Sequence, residues 1–328
     1  MANLKTTYMG FELRNPIIVG SSGLTNSVEN VIEVEKNGAG AVVLKSLFEE
    51  QILQETSKTI SADVHKNSYP EALDYISNYS KESAVANYLN LIRDCKKAVK
   101  IPVIASINCV SSSEWIGFAA RIQEAGADGL ELNVFILPSD PRQSGEDNEQ
   151  TYLNIVKSIQ KVVTIPIALK LSYYFSGLAK TALIFSWTGI SAMVLFNRFF
   201  SPDIDINTFE VKPSHIFSTP DELSVSLRWV AMLSSRLHCD VAASTGVHNG
   251  EAVIKQLLAG AKAVQISSVL YKNGFGEIKT MLSVLESWMD KHDFKSIADF
   301  NGRMSIKETD NPAAYERVQF MKYFSGIE

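Results

Sequence analysis

The stretch "LAGAKAVQISS", residues 258–268, reads as the end of a helix, a glycine, and a short apolar strand that stops at two serines. Gly260 stands where the helix must end, and a residue without a Cβ enters the left-handed conformation there without a steric penalty. The apolar run after it suits a strand covered on both faces. The same grammar recurs in "KNGAGAVVLKS" (36–46), "EAGADGLELNV" (124–134) and "WTGISAMVLFN" (187–197). Between these repeats lie four more apolar runs, "NPIIVGSS" (15–22), "IPVIASIN" (101–108), "IPIALKLS" (165–172) and "DVAASTG" (240–246).

Eight strands alternate with segments of helical spacing, such as "SAVANYLNLIRDCKKAV" and "GEAVIKQLLAGA", and no GxGxxG follows the first strand. This favours an α/β fold of the (β/α)8 barrel type over a doubly wound sheet, as one domain spanning residues 1–328. Two stretches exceed ordinary strand-to-helix loops: residues 47–82 after strand 2 and 199–225 after strand 6. Long loops at that end of a barrel cover an active site.

Composition narrows the function classes. The chain has 328 residues, 46% hydrophobic and 20% charged, and a formal net charge of -5, which gives no electrostatic footprint for nucleic acid or a membrane surface. The start "MANLKTTYMGFEL" has no apolar core, and no later segment reaches the length of a membrane span, so a cytoplasmic protein acting on a small molecule is expected. Cys95, Cys109 and Cys239 lack CxxC spacing, and the five histidines are scattered, so neither a disulfide framework nor a metal site is expected.

In such a barrel the chemistry sits at the C-terminal strand ends. Read in order, those ends carry Gly20-Ser21-Ser22, Lys45-Ser46, Ser106 to Asn108, Asn133, Lys170 to Ser172, Asn197-Arg198, Thr245-Gly246 and Ser267-Ser268. A polar ring over an otherwise apolar barrel suits a flat ligand that hydrogen-bonds along its edges. The loops after strands 7 and 8 are the usual phosphate site of the fold, and small residues there imply a phosphorylated cofactor. Lys170, costly inside a barrel without an anionic partner, suits the edge of a flavin ring that becomes negative on reduction.

From "NPIIVGSSGLT" through "VLKS", "ELN", "IALKLS" and "STGVHNGEAVIKQLLAGAKAVQISSVLYKNG" to "SIADFNGRM", the chain resembles the dihydroorotate dehydrogenase family over nearly its whole length. The resemblance implies FMN held by Gly20, Ser21, Ser22, Lys45, Ser46, Asn108, Asn133 and Lys170, with the phosphate at Thr245, Gly246, Ser267 and Ser268. It implies a substrate near Lys45, Asn133 and Asn197, oxidation of dihydroorotate to orotate in pyrimidine biosynthesis, and a homodimer.

Two departures stand out. Class 1 members carry "NLSCPN", whose cysteine removes a proton from dihydroorotate, whereas this chain has "NVFILPSD" (133–140). Class 2 members use a serine in the related position; here the nearest hydroxyl is Ser139, which equally suits a turn before Asp140-Pro141, and Cys109 is a second candidate. The other departure is Arg198 in "LFNRFF", where the family usually has a small hydroxyl residue. Arg198 suits either a substrate carboxylate or a salt bridge to Asp203 or Asp205. Tyr69 and Tyr75, in the first long loop, are candidates to shield the ring. Lys45, Ser139 and Lys170 are therefore the expected catalytic residues, and Lys45, Asn133, Asn197 and Arg198 the substrate contacts.

Three readings follow. The first is an FMN-dependent dehydrogenase of dihydroorotate. The second is a related flavoenzyme acting on another cyclic amide or unsaturated acid, as dihydropyrimidine dehydrogenases do. The third is a flavin-binding protein without turnover. Without CxxC motifs, an iron-sulfur centre would belong to a partner chain.

Overall fold

The eight apolar runs become eight parallel strands closed into a (β/α)8 TIM barrel in the computed structural model, which describes residues 2–48, 70–109, 115–134, 136–199 and 201–316. An antiparallel hairpin, β1 (Thr6–Tyr8) and β2 (Phe11–Leu13), comes first. Then follow β3 (Ile17–Val19), β4 (Ala41–Val43), the short β5 (Leu47–Phe48), β6 (Val103–Cys109), β7 (Gly129–Val134) and β8 (Ile167–Leu171). After β9 (Ala192–Leu195), a second hairpin, β10 (Pro202–Asp205) and β11 (Glu210–Pro213), stands outside the barrel, and β12 (Asp240–Ser244) and β13 (Ala263–Ile266) complete it. The ring runs β3-β4-β6-β7-β8-β9-β12-β13 and closes through β13 on β3, with β5 extending along β6. The four repeat glycines all take positive φ, 101° at Gly38, 95° at Gly126, 87° at Gly189 and 108° at Gly260, which is why the helix-to-strand corner repeats with this residue.

Side chains alternate along each strand between the helix layer and the barrel axis. At the base, the inward positions are apolar and often small: Ile18, Ala41, Ile104, Ala168, Ala192, Ala242 and Ala263 pack around Tyr8, Met9 and Leu13 of the first hairpin. The Met9 backbone N–H donates to the Asp240 carboxylate at 2.9 Å and fixes this plug. Two residues further along, four inward positions are polar and buried, Ser106 after Ile104, Glu131 after Gly129, Lys170 after Ala168 and Gln265 after Ala263, while Val43 after Ala41 and Val194 after Ala192 stay apolar. The barrel is thus apolar at its floor and polar towards its mouth.

The long loops differ from the expected bounds. Helix Pro70–Ala98 takes over twelve residues earlier than the expected loop end at 82, and Pro70 at its first position has its φ preset and no N–H to satisfy. Tyr69 lies outside the described residues, and Tyr75 falls on the helix, its side chain outside them. The 199–225 insertion carries the β10–β11 hairpin, the turn Pro220–Glu222 and the first residues of helix Leu223–Leu233. The tail motif "SIADFNGRM" is structural: Asn301 Nδ2 donates to the carbonyls of Leu257 and Ala261 at 3.0 and 2.7 Å, ending helix Gly250–Ala259, and Phe300 is fully buried.

Gly40 immediately precedes β4 and lies against the chain before β3. A Cβ there would lie 2.2 Å from the Asn15 carbonyl oxygen, and the Gly40 N–H already donates to Ile17 O at 2.7 Å. Gly40→Ala should therefore destabilise the protein by roughly 1–3 kcal/mol, the usual cost of overpacking, read as a lower thermal midpoint.

Candidate functional site

Parallel register places Asn108 of β6 beside Asn133 of β7, and Asn133 beside Lys170 of β8. All three are buried at the mouth of the barrel. A chain of hydroxyls fixes the middle member. Asn133 Nδ2 donates to Ser46 Oγ at 2.9 Å and Ser106 Oγ at 3.1 Å, these hydroxyls lie 2.7 Å apart, and Ser21 Oγ reaches Ser46 Oγ at 2.9 Å. Tyr88, from the helix outside, accepts the Ser106 N–H at 2.8 Å and donates to its carbonyl at 3.0 Å. With the amide nitrogen held inside this network, the Oδ1 atoms of Asn108 and Asn133 are buried with no hydrogen-bond partner among the described residues. Unmet buried acceptors are costly, and two side by side are an invitation to a donor from a ligand.

One layer deeper, Lys170 Nζ lies 3.4 Å from Glu131 Oε1 and donates to Gln265 Oε1 at 2.9 Å, while Gln265 Nε2 donates to Glu131 Oε2 at 2.5 Å. Strand-end reading finds Lys170 but misses Glu131 and Gln265. The available signal was a carboxylate inside the six-residue buried strand "GLELNV". Below them, burial, then the negative charges of Glu131 and Asp240, hold the Tyr8 phenol well above its ordinary value.

The other half of the site is built by the loops after β12 and β13. A cavity of about 250 Å³ is lined by Ser21, Lys170, Asn197, the Ser244–Val247 turn and the Gln265–Ser268 segment. Thr245 and Gly246 both take positive φ, 77° and 78°; for Thr245 this strain is on the order of 1–3 kcal/mol, and its Oγ1 donates to Phe196 O at 3.1 Å. A Cβ at Gly246 would lie 2.1 Å from Leu223 N, so the turn runs directly against the start of the next helix. Ser267 Oγ donates to Gly20 O at 3.2 Å, joining the last barrel strand to the first. Ser218 ties the insertion to both loops: its N–H donates to Ser268 Oγ and its Oγ pairs with His248 Nε2, each at 3.0 Å. Burial first, then the charge of Lys272, push the His248 imidazole below its ordinary value. Sequence reading did not single out Ser218 or His248.

A second cavity of about 230 Å³ adjoins the first across Asn197 and Arg198 and has Tyr173, Tyr174, Phe196 and Phe199 in its walls. Arg198 is engaged there. Its Nε pairs with Glu222 Oε2 at 2.8 Å, and its Nη1 donates to the carbonyls of His215 and Ile216, both at 3.0 Å. The carboxylate is Glu222, and not Asp203 or Asp205; Asp205 instead accepts from the N–H groups of Asn207 and Thr208 and from Lys212 inside the hairpin. Lys45 is half-buried at the end of β4, beside the Ser46 network, and Ser22 caps the short turn Gly23–Thr25. Ser139 is not brought to the row: it is exposed, and its N–H and Oγ both turn back to Leu137 O, at 2.8 and 3.5 Å. The Cys109 side chain lies outside the described residues.

A family profile described as "Dihydroorotate dehydrogenase" matches residues 3–289. The chain belongs to the dihydroorotate dehydrogenase family. It is 28% identical over 310 residues to the "Dihydroorotate dehydrogenase B (NAD(+)), catalytic subunit" of Thermoplasma acidophilum, covering 92% of this chain and 99% of the relative. With the "Dihydroorotate dehydrogenase A (fumarate)" of Lactococcus lactis subsp. lactis it shares 26% identity over 323 residues, covering 92% and 99%. The catalytic subunit from Pyrococcus furiosus is 25% identical over 317 residues, covering 92% and 98%. Dihydroorotate dehydrogenases are FMN-dependent oxidoreductases that act on a CH–CH bond. No helix among the described residues is long and apolar enough to cross a membrane, and no cluster of three or more possible metal ligands occurs among them.

Arg198 anchors the insertion to the end of β9 through one ion pair and two carbonyls. Arg198→Ala should speed limited proteolysis within residues 199–219 several-fold. The thermal midpoint should move little, because the pair is partly exposed and contributes about 1 kcal/mol or less.

Proposed function

We propose that this dihydroorotate dehydrogenase family member binds FMN and oxidises dihydroorotate to orotate. The observation that carries the reading is the buried row Asn108, Asn133 and Lys170, in which two amide oxygens without partners stand next to an ammonium. Such a row suits a planar ring that offers N–H donors along an edge that becomes negative on reduction. The Ser244–Val247 and Gln265–Ser268 segments, drawn together against Gly20 and Ser218, suit the phosphate end of the same ligand.

FMN, when bound, would supply the two-electron acceptor for the CH–CH bond. The protein's own contribution is placement and charge. The Ser21–Ser46–Ser106 network holds Asn133 in one orientation, Lys170 presents its charge to the cavity, and Thr245, Gly246, Ser267 and Ser268 grip the phosphate. Lys45, Asn133 and Asn197 flank the substrate. Arg198 has Nη2 outside its bonds to Glu222, His215 and Ile216, and this nitrogen is its remaining point of contact for a substrate acid.

The acid/base side departs from the family. With "NVFILPSD" in place of the cysteine motif and Ser139 turned to its own loop, no side chain among the described residues takes the place of that cysteine as a base. The aromatic side cavity beside Asn197 favours a second reading, oxidation or reduction of a different cyclic amide or unsaturated acid at the same flavin. The purified protein should take up FMN and turn yellow, and dihydroorotate should bleach the flavin band about 10²- to 10⁴-fold more slowly than in an enzyme with its base in place. Bleaching at the ordinary class 1 rate would show that a base operates after all. No bleaching by dihydroorotate, with rapid bleaching by another member of a substrate panel, would move the assignment to the second reading.

A homodimer in the cytoplasm is part of the same proposal. Free Cys95 and Cys239 accord with a reducing compartment. The β10–β11 hairpin supplies an apolar face: Ile204 pairs with Val211 and Pro202 with Pro213 on one side, and Ile206 and Phe209 near its tip are 79% and 87% exposed. Light scattering should give twice the chain mass, and Ile204→Asp combined with Val211→Asp should shift the protein to monomer.

A further inference from the structure

The triangle Glu131, Lys170 and Gln265 has a consequence beyond holding a lysine in place. Its three members come from β7, β8 and β13, and the side chains of Lys170 and Glu131 are 9% and 1% exposed. Both carboxylate oxygens of Glu131 and both polar atoms of Gln265 are used within the triangle. An ammonium has three protons, and two partners account for two of them. Lys170 also lines the cavity, whereas Glu131, which lies opposite Ala168 in the register and so one layer deeper than Lys170, does not. The pair is therefore a buried dipole with its positive end towards the mouth.

We propose that Glu131 is a positioning residue that acts through Lys170: by compensating the ammonium from below, it sets how strongly the cavity stabilises negative charge on a bound flavin, and so sets the flavin's reduction potential. The inference rests on the FMN reading above. Its physical basis is that an ammonium drawn to a carboxylate 3.4 Å away in a water-poor interior is held back from a ring on its other side and spends one of its three N–H donors on that partner. An ammonium alone would favour a reduced, anionic ring strongly but would be costly to bury in the empty protein. The carboxylate lowers that cost and at the same time weakens the pull on the ring. Gln265 keeps both in one geometry, and its amide makes up for the donors and acceptors the pair leaves over.

The test is redox equilibration of the FMN-loaded protein against a dye of known potential. In Glu131→Gln the ratio of reduced to oxidised flavin at a fixed potential should rise about tenfold over wild type, equivalent to roughly 30 mV for a two-electron couple. Lys170→Met should move the ratio the other way. In the Lys170→Met background, adding Glu131→Gln should change it less than twofold, because no ammonium remains to be compensated. An unchanged ratio in Glu131→Gln, with only the melting temperature altered, would overturn the proposal and leave the carboxylate a structural partner. Equal shifts in both backgrounds would overturn it too, since Glu131 would then act on the ring directly. Should Glu131→Gln fail to fold, Gln265→Glu adds a negative charge to the same triangle and should lower the ratio; no fall overturns the proposal. Wild-type protein that takes up no FMN would refute the flavin reading, and the inference with it, a result distinct from a yellow protein whose potential does not respond.

Discussion

A lysine and a glutamate facing each other inside a parallel barrel constrain much of what surrounds them. Lys170 needs an anion, Glu131 needs a cation and donors and is cut off from the cavity, so Gln265 completes the set from β13. The arrangement depends on register. A slip of one residue in β7 or β8 would turn Glu131 or Lys170 outward into the apolar layer beneath the helices. The small apolar floor of Ala168, Ala192, Ala242 and Ala263 packed around Tyr8 and Met9 closes the barrel from the opposite end and leaves the polar layer a single open side.

Above that layer the site divides between two kinds of support. The row Asn108, Asn133 and Lys170 stands on strands, and its middle member is fixed by the hydroxyls of Ser46, between β4 and β5, and Ser106, on β6, so its geometry is inherited from the barrel. The turn at Thr245 and Gly246 is set by contacts that reach across the fold: Phe196 accepts from Thr245, Leu223 crowds Gly246, and Ser218 bridges His248 and Ser268. The 199–225 insertion, pinned by Arg198 and Glu222, thus belongs to both cavities.

Much of this was legible in the residues. Four glycines followed by apolar runs give half of the barrel, and the polar strand ends Ser46, Asn108, Asn133 and Lys170 meet as their positions suggested. What sequence reading missed follows from depth and from competition. Glu131 and Gln265 sit inside their strands, three residues and one residue before the last position, where an apolar pattern conceals inward-facing members of an alternating strand. The partner of Arg198 was sought among the nearest carboxylates, but Asp205 is used by its own hairpin turn and Asp203 lies on an exposed strand. Glu222 was announced by "TPDE", a capping box in which the Thr219 N–H donates to Glu222 Oε1 at 2.7 Å, leaving Oε2 for the guanidinium. Ser139 suits a base only by its proximity in sequence; in the fold it is exposed and turns back to Leu137 O.

The hydrogen bond from Ser267 to Gly20 joins residues 247 positions apart, and β13 pairs directly with β3 beside it. During synthesis the first barrel strand therefore emerges long before its neighbour exists. Until β13 arrives, the strand has an unpaired edge, and the cavity lacks Gln265 and the Ser267–Ser268 pair. Contacts of such long separation are slow to form, and domains are completed in the order the ribosome delivers them. The cavity at the barrel mouth is thus begun by the middle strands and completed only when the last strand closes on the first.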